Sequence, residues 1–229
     1  MPNKIRVTIL DDHQSIVDGY LYRLKNKPGI EVVATITFGE QLEPTLAKHP
    51  TDILLLDFSI PTGPLNQNLY PTLTLIPRLL QLYPDLDILV ISMFTERGLI
   101  RAVMEAGASG YIIKDDSSAI QNLEKIIHSV AEGGIYLSQK VSNIFQKQDE
   151  KNNEDLLTHR QLEVLLLCAM FPNDKTVELA RKMTVSNSTV RNLLSGAYLR
   201  LGVNTRAAAI ERARNLSLLP VDFRTTARA

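Results

Sequence analysis

The sequence predicts an α/β domain, a doubly wound parallel sheet of five strands, followed by a small all-α domain. The 229 residues exceed what one small domain usually needs and suit two. Strand and helix patterns alternate through residues 1–137, and the pattern becomes purely helical after a polar stretch at 138–155. Hydrophobic residues make up 45% and charged residues 22%, a composition that supports folded cores and excludes wholesale disorder.

Short apolar runs rich in β-branched residues predict the five strands. They lie at Ile5–Leu10, Val32–Ile36, Asp52–Leu56, Ile88–Met93 and Tyr111–Ile113. Apolar residues at helical spacing, in segments that end at a proline or glycine, predict the helices between them. These are Ser15–Lys27, Glu40–Lys48, a segment ending near Tyr83, Arg97–Ala106 and Ser117–Ala131. This alternation predicts a parallel sheet with helices on both faces.

A polar segment separates the two predicted domains. Its Lys147–Asp155 part has no apolar residue, which is typical of a linker. The predicted division is a first domain over 1–137, a linker over 138–155, a helical domain over 156–219 and a tail over 220–229. The four helices of the second domain are predicted from Thr158 to about Met170, at Thr176–Met183, at Ser188–Leu201 and from Thr205 to about Asn215.

Composition also excludes some classes of protein. No apolar run approaches the roughly 18 residues of a membrane span, and the N-terminus enters a strand pattern without a signal peptide. The single cysteine, Cys168, excludes an intrachain disulfide and a cysteine-based metal cage, and its apolar helical surroundings predict a core position. We therefore expect a cytoplasmic protein with no membrane partner.

The net charge of zero is unevenly distributed along the chain. Residues 1–150 carry 13 Lys and Arg against 18 Asp and Glu, whereas residues 151–229 carry 12 against 7. A basic second part is compatible with binding a polyanion such as nucleic acid, although chance also produces such offsets.

Functional side chains follow four of the predicted strands. In a parallel sheet, ligands bind beyond the carboxyl ends of the strands. Those ends bear Asp11, Asp12, Asp57, Ser92 and Lys114. Neighbouring carboxylates repel one another unless a cation lies between them, and oxygen ligands of this kind suit Mg²⁺.

The same set of residues suits phosphoryl transfer. A divalent ion would neutralise an incoming phosphoryl group and leave one carboxylate free to attack it. Asp57 follows the most central strand and is the predicted nucleophile, while Lys114 and Ser92 would contact phosphoryl oxygens. The alternative interpretation is that strand-end acids only cap helices or solvate loops, and the presence of all five at one edge favours the functional one.

Four motifs in the first domain resemble the receiver domain of bacterial two-component response regulators, which has a flavodoxin-like fold. They are Leu10–His13, Leu55–Asp57 with Pro61, Ile91–Phe94 and Gly110–Asp115, and the match covers about residues 4–135. The resemblance implies that a sensor histidine kinase donates a phosphoryl group to Asp57.

The resemblance also implies the ligands of a Mg²⁺ ion and a switch. The implied ligands are Asp11 or Asp12, Asp57 and the Ser59 carbonyl. Ser92 and Tyr111 match the family's switch pair, which reorients when the phosphoryl group arrives.

One segment departs from the family's pattern. Residues Thr62–Pro71 form an apparent insertion beside the acidic pocket. It could shield Asp57, slow hydrolysis of the phosphoryl group or dock a specific kinase, or it could be inert surface, which is the commoner fate of a loop insertion.

The second domain contains a helix, a tight turn and a longer helix, the arrangement that enters the DNA major groove. Arg191 and Asn192 in the longer helix suit guanine and adenine edges, and Ser195 shares a face with Arg191. The alternative interpretation is a simple helical bundle with a solvated polar face.

Motifs in this domain resemble the LuxR/NarL-type helix-turn-helix over about residues 156–215. They are Leu157-Thr158, Glu163–Leu165, Glu178–Ala180, Val185-Ser186, Thr189–Arg191 and Leu201–Val203 with Arg206. The resemblance implies that the third helix reads the major groove and the fourth pairs two protomers. By position it implies DNA contacts for Arg191, Asn192 and Ser195, backbone contacts for Ser188 and Thr189, and dimer contacts for Leu199, Ala208 and Arg212.

Together these features predict a homodimeric, DNA-binding transcriptional response regulator that is not an enzyme. Its expected partners are a sensor histidine kinase and double-stranded promoter DNA, with RNA polymerase as a further candidate. A second hypothesis keeps the DNA binding but makes the receiver a dimerisation or ligand-sensing module independent of phosphorylation. A third, an aspartyl-nucleophile phosphatase, is disfavoured because Ser59, and not a second acid, stands two residues after Asp57.

Overall fold

The computed structural model describes residues 4–146, 156–216 and 218–219 of the chain. Its strands are β1 (Ile5–Leu10), β2 (Ile30–Ile36), β3 (Ile53–Asp57), β4 (Pro61–Gly63), β5 (Asn66–Leu69), β6 (Asp87–Ser92), β7 (Gly110–Ile113) and β8 (Tyr136–Leu137). Six of them form one parallel sheet in the order β2-β1-β3-β6-β7-β8. The predicted doubly wound sheet is confirmed, and the two-residue strand β8 adds a sixth strand to the five expected.

Within the described residues, seven α-helices accompany this sheet and four follow it. The first seven are α1 (Gln14–Leu24), α2 (Leu42–Lys48), α3 (Thr72–Leu82), α4 (Arg97–Glu105), α5 (Ser117–Gln121), α6 (Leu123–Ala131) and α7 (Gln139–Gln146). The last four are α8 (His159–Met170), α9 (Thr176–Met183), α10 (Asn187–Leu201) and α11 (Arg206–Asn215). None of these helices, within the described ranges, is long and apolar enough to cross a membrane.

The central strand β3 shows why the sheet is covered on both faces. All five of its residues are buried. Successive side chains point to opposite faces of a strand. Ile53 and Leu55 therefore join the apolar cluster beneath α1 and α6, while Leu54 and Leu56 join the cluster beneath α2, α3 and α4. A strand buried in this way places the residue at its carboxyl end, Asp57, at the centre of the sheet edge.

The apparent insertion forms a β-hairpin, because β4 and β5 pair in antiparallel orientation. The Tyr70 backbone N–H donates to the Ile60 carbonyl at 2.8 Å, which closes the base of the hairpin. The Tyr70 ring lies over Gly39, where any Cβ would clash with it. Leu65 at the tip is fully exposed and Leu69 is largely exposed. The hairpin is thus fixed at its base and open to solvent at its tip.

The first half of the predicted linker is a helix, α7, and is more ordered than a polar linker was expected to be. Val141 and Phe145, four residues apart, are both fully buried. The Arg97 guanidinium lies 4.8 Å from the centroid of the Phe145 ring, a cation–π contact that ties α7 to α4. The remainder of the linker, 147–155, and the tail, 220–229, lie outside the described residues, so the domain boundaries stay a prediction.

Three of the four helices of the second domain, α8, α10 and α11, begin at residues whose side chains cap them. Thr158 and Gln161 form a reciprocal capping box at α8. Ser186 accepts from Thr189 N–H at the start of α10, and Thr205 accepts from Ala208 N–H at the start of α11. Gly202 ends α10 with a φ of 64°, a left-handed conformation that favours glycine.

Cys168 lies fully buried in this helical domain beside Tyr198, as predicted for a core residue. Burial raises the pKa of the Cys168 thiol to about 11, so the thiol is protonated and unreactive at neutral pH.

Candidate functional site

The predicted acidic pocket forms where β1, β3 and β7 end. Lys114, directly after β7, places its Nζ 2.7 Å from Asp11 Oδ2 and 2.9 Å from Asp57 Oδ2. The side chains of all three residues are at most 7% exposed. Three strands that are far apart in the chain therefore bring two carboxylates and one ammonium group into direct contact, as the strand-end prediction required.

The electrostatics of the pocket keep Lys114 charged. Burial alone would lower the pKa of Lys114, but its hydrogen bonds to Asp11 and Asp57 outweigh burial and raise the pKa. Tyr20 on α1 lies near both carboxylates, and burial together with their negative charge raises the pKa of its phenol. The ammonium of Lys114 therefore balances part of the negative charge that the two aspartates place at this edge.

Asp12 and His13 complete the pocket on its solvent side. His13 Nδ1 lies 2.8 Å from Asp12 Oδ1 and 3.5 Å from Asp11 Oδ1. The backbone N–H of His13 also donates to Asp11 Oδ1 at 3.0 Å. These contacts fit a side chain that orients the two acids.

The residues of this pocket fit a divalent cation. One ligand atom from each of Asp11, Asp12, His13 and Asp57 lies within 4.8 Å of the others. Carboxylate oxygens from separate strands are the hard donors that Mg²⁺ takes, and such a cation would also relieve the repulsion between them. Ser59, whose carbonyl the family resemblance adds to this set, donates its N–H to Asp57 Oδ1 at 3.3 Å. The identity of the ligands stays a prediction.

Ser92 and Tyr111, the predicted switch pair, meet at the loop that follows β6. The Ser92 Oγ accepts from the Phe94 N–H at 3.2 Å, and the Tyr111 hydroxyl donates to the Phe94 carbonyl at 3.0 Å. Both side chains are fully buried, and burial raises the pKa of Tyr111 to about 12. In this conformation the tyrosine is neutral and turned into the protein, and Phe94 connects it to the strand end that bears Ser92.

The predicted DNA-reading helix α10 packs against the first domain through α4. Arg191 is only 4% exposed and Ser195 is fully buried. The Ser195 hydroxyl donates to the Met104 carbonyl near the end of α4, at 3.4 Å. The two side chains share a face of the helix, as predicted, but that face lies against the first domain and is closed to solvent.

Arg191 is held by a cluster at the start of β6. Its Nη2 lies 2.8 Å from Asp87 Oδ1, and its Nη1 donates to the Leu86 carbonyl at 3.0 Å. Asp87 also accepts from the Ser109 hydroxyl at 2.7 Å. Burial raises the pKa of Asp87, and the nearby guanidinium of Arg191 only partly offsets that effect.

The remaining predicted DNA contacts lie nearer the start of α10. The Asn192 Oδ1 and the Ser188 Cβ face the turn at Gly107, just beyond α4. The Thr189 hydroxyl bonds the Ser186 hydroxyl at 2.7 Å. Leu199, offered as a dimer contact, is buried in its own domain, whereas Ala208 is partly exposed and Arg212 exposed.

The comparison with known proteins decides the family. Residues 7–128 match the family model described as the response regulator receiver domain. The chain is a response regulator. A curated relative, the transcriptional regulatory protein DegU of Brevibacillus brevis, is 31% identical, and the match covers 91% of this chain and 92% of that protein. The oxygen regulatory protein NreC of Staphylococcus epidermidis is 28% identical over 94% of this chain and 99% of its own length.

Solved structures extend the likeness to both domains of this response regulator. The RcsB response regulator of Salmonella typhimurium is 25% identical with a TM-score of 0.56, covering 95% of this chain and 100% of that one. A structure of an RcsB–DNA complex has the same identity, TM-score and coverage. The chain is thus a response regulator of the NarL/LuxR type, in which a receiver precedes a helical domain.

Sequence reasoning found the acidic pocket but missed the Asp87 cluster. Asp87 begins β6 at the amino-terminal edge of the sheet, opposite the pocket, and Ser109 precedes β7. Rules about strand ends point to the carboxyl edge alone. The one sequence feature that points to this cluster is an acid, Asp87, directly before the apolar run that starts at Ile88. That feature does not identify Arg191 as its partner.

Proposed function

We propose that this response regulator takes a phosphoryl group from a sensor histidine kinase onto Asp57 and, in response, binds promoter DNA as a homodimer. The observation that supports the first step most directly is the Lys114 ammonium between Asp11 and Asp57, at 2.7 and 2.9 Å. A carboxylate at the centre of the sheet edge is thereby held next to a positive charge.

The chemistry follows from this arrangement. An oxygen of Asp57 forms a bond to phosphorus while the bond between phosphorus and the donor breaks, and the leaving group departs with its electron pair. Lys114, which pairs with Asp57 Oδ2 before the reaction, then has phosphoryl oxygens as its partners. Asp11, Asp12 and Asp57 would hold Mg²⁺, which neutralises phosphoryl oxygens when bound.

The second step rests on the helical domain. Its likeness to an RcsB–DNA complex supports DNA binding through α10, with Arg191, Asn192, Ser195, Ser188 and Thr189 as the proposed contacts. Few cations lie on α10 itself, so pairing of two protomers would add the phosphate contacts that a single copy lacks. RNA polymerase stays a proposed partner of such a regulator.

The test of this function measures phosphoryl uptake and DNA binding together. We expect the chain treated with acetyl phosphate and Mg²⁺ to gain one phosphoryl group by intact mass, to shift toward a dimer and to bind duplex DNA more tightly. Asp57→Asn should abolish the mass gain. Asp115→Asn is the matched control, because Asp115 is an exposed acid next to Lys114 whose carboxylate, among the described residues, pairs with Lys140 alone.

Two outcomes would redirect the proposal. Mass gain in the Asp57→Asn protein would refute Asp57 as the acceptor. A wild-type chain that takes up no phosphoryl group but still binds DNA would favour the phosphorylation-independent regulator.

A further inference from the structure

We propose that Asp87 is an internal competitor of DNA: it holds Arg191 of the DNA-reading helix, so that a single carboxylate sets the resting DNA affinity of the chain. The proposal deepens the proposed function and rests on its assignment of α10 to DNA. It adds a site at the edge of the sheet opposite the phosphoryl acceptor.

The contacts of Arg191 with the receiver exclude its contacts with a base. One guanidinium nitrogen bonds Asp87 and another bonds the Leu86 carbonyl, at 2.8 and 3.0 Å. Reading a guanine edge requires the same two nitrogens in a fork. Because Arg191 is 4% exposed, a duplex has no access to it until α10 leaves the receiver.

The receiver holds the Asp87 carboxylate in position to accept hydrogen bonds. The Ser109 hydroxyl donates to Asp87 Oδ1 at 2.7 Å from the neighbouring strand edge, which orients the carboxylate. The side chains of Asp87 and Arg191 are only 11% and 5% exposed. A buried charge that loses its partner is left uncompensated, which is costly. Asp87 and Arg191 therefore separate only when both side chains become solvated together.

Strand β6 and helix α4 connect the Asp87–Arg191 pair to the phosphoryl site. Strand β6 bears Asp87 at its amino end and the switch residue Ser92 at its carboxyl end. Helix α4 begins at Arg97, just after the Phe94 carbonyl that Tyr111 bonds, and its Met104 carbonyl bonds Ser195 of α10. A displacement of the loop at Phe94 would therefore act on the elements that hold α10.

The test substitutes Asp87→Asn in the full chain, which removes the charge and keeps the volume and a partner for Ser109. The control is Asp85→Asn, which removes the same charge from an exposed residue two positions away. The DNA probe is a duplex recovered from a random-sequence library by the acetyl-phosphate-treated wild-type chain. Without phosphorylation, we expect Asp87→Asn to bind this duplex about tenfold more tightly than wild type, and Asp85→Asn to bind as wild type does.

A second measurement needs no DNA. Fluorophores on Tyr22→Cys and Glu211→Cys, both exposed positions, report the separation of the two domains by energy transfer, while the buried Cys168 stays unlabelled. We expect Asp87→Asn to lower the transfer efficiency. In an Arg191→Gln background Asp87→Asn should have no further effect, because the partner is already absent.

Equal DNA affinity and equal energy transfer for Asp87→Asn and Asp85→Asn would overturn the proposal. Retained phosphoryl uptake at Asp57 reports that the Asp87→Asn receiver is folded. If uptake is lost, Arg191→Gln provides the energy-transfer test, because its substitution lies outside the receiver. If Asp87→Asn separates the domains but acetyl phosphate has no effect on the wild-type chain, the role of the Asp87–Arg191 pair is supported and the proposed phosphoryl switch is refuted. Failure of this proposal and failure of the proposed function are therefore distinguishable.

Discussion

At the scale of single residues, two buried cations of the described ranges, each paired with carboxylates, act in different ways. Lys114 joins Asp11 and Asp57 within the receiver, at the edge where phosphoryl chemistry is proposed. Arg191 joins Asp87 across two domains, at the opposite edge. Burying charges is costly, so both pairs depend on close geometry and additional hydrogen bonds. In the two proposals above, Lys114 exchanges its carboxylate partners for phosphoryl oxygens, and Arg191 exchanges Asp87 for DNA.

The Lys114 bridge makes a prediction about stability. Lys114→Met leaves Asp11 and Asp57 adjacent without a cation, so the free energy of unfolding at neutral pH should fall by about 3 kcal/mol, and added Mg²⁺ should recover part of the loss. Because the folded protein raises the pKa of Lys114, the contribution of the bridge is fully present below the ordinary lysine pKa and is lost as pH rises through the folded value.

Urea unfolding of wild type and Lys114→Met, at neutral pH and at alkaline pH, measures this effect. The difference between the two proteins should shrink in the alkaline series alone. If the difference in unfolding free energy between the two proteins shrinks on mild acidification, the effect does not come from the charge of Lys114.

At the scale of elements, the β4–β5 hairpin shows how an insertion is fixed without disturbing the site beside it. Its base closes through Tyr70 and Ile60, and Thr72 at the start of α3 donates its hydroxyl to the Phe58 carbonyl at 3.0 Å. The chain therefore returns to the position from which α3 can pack on the sheet. The alternative roles of the hairpin, shielding Asp57 or docking a kinase, stay predictions.

The hairpin's attachment depends on Gly39. Gly39→Ala places a methyl group against the Tyr70 ring, so we expect a loss of about 1–3 kcal/mol of stability and faster hydrogen exchange at the Tyr70 amide. Gly19→Ala is the control, because no atom lies within 4 Å of its would-be Cβ in the interior of α1, and it should gain roughly 0.5–1 kcal/mol. Exchange protection unchanged in Gly39→Ala would show that the ring does not hold the hairpin.

At the scale of the whole molecule, the two domains share one apolar core. A single cluster of buried side chains runs from the α2–α4 face of the sheet through α7 into the helical domain. Helix α7 lies between the receiver strand β7 and α10 and contacts both. The chain in this conformation is therefore closed around α10, the proposed DNA-reading helix, by packing as well as by the Arg191–Asp87 pair.

This packing predicts that α7 contributes to closure. Phe145→Ala removes a fully buried ring and its contact with Arg97, so thermal unfolding should show a loss of about 3–5 kcal/mol, and the energy-transfer assay should report opening. Asn143→Ala, at an exposed position of the same helix, should change stability by less than about 0.5 kcal/mol and leave the domains closed. Equal effects of the two substitutions would refute a role for α7.

The amino-acid sequence by itself determined the fold class, the acidic pocket and the helix caps. Each of these follows from local rules: alternating patterns select strands and helices, parallel strands bring their carboxyl ends to one edge, and Thr158, Ser186 and Thr205 cap helices within a few residues of themselves. The sequence alone therefore places Asp11, Asp57 and Lys114 at one edge of the sheet.

Only the tertiary structure decided that α10 faces inward and that α7 is a helix. Arg191 and Leu86, which hydrogen-bond, are 105 residues apart in the chain. No periodicity in either segment encodes their pairing, because both sequences are also compatible with a solvated Arg191 on an open helix. Shape and charge complementarity between two folded domains selects the closed arrangement, and neither surface exists until its own domain has folded.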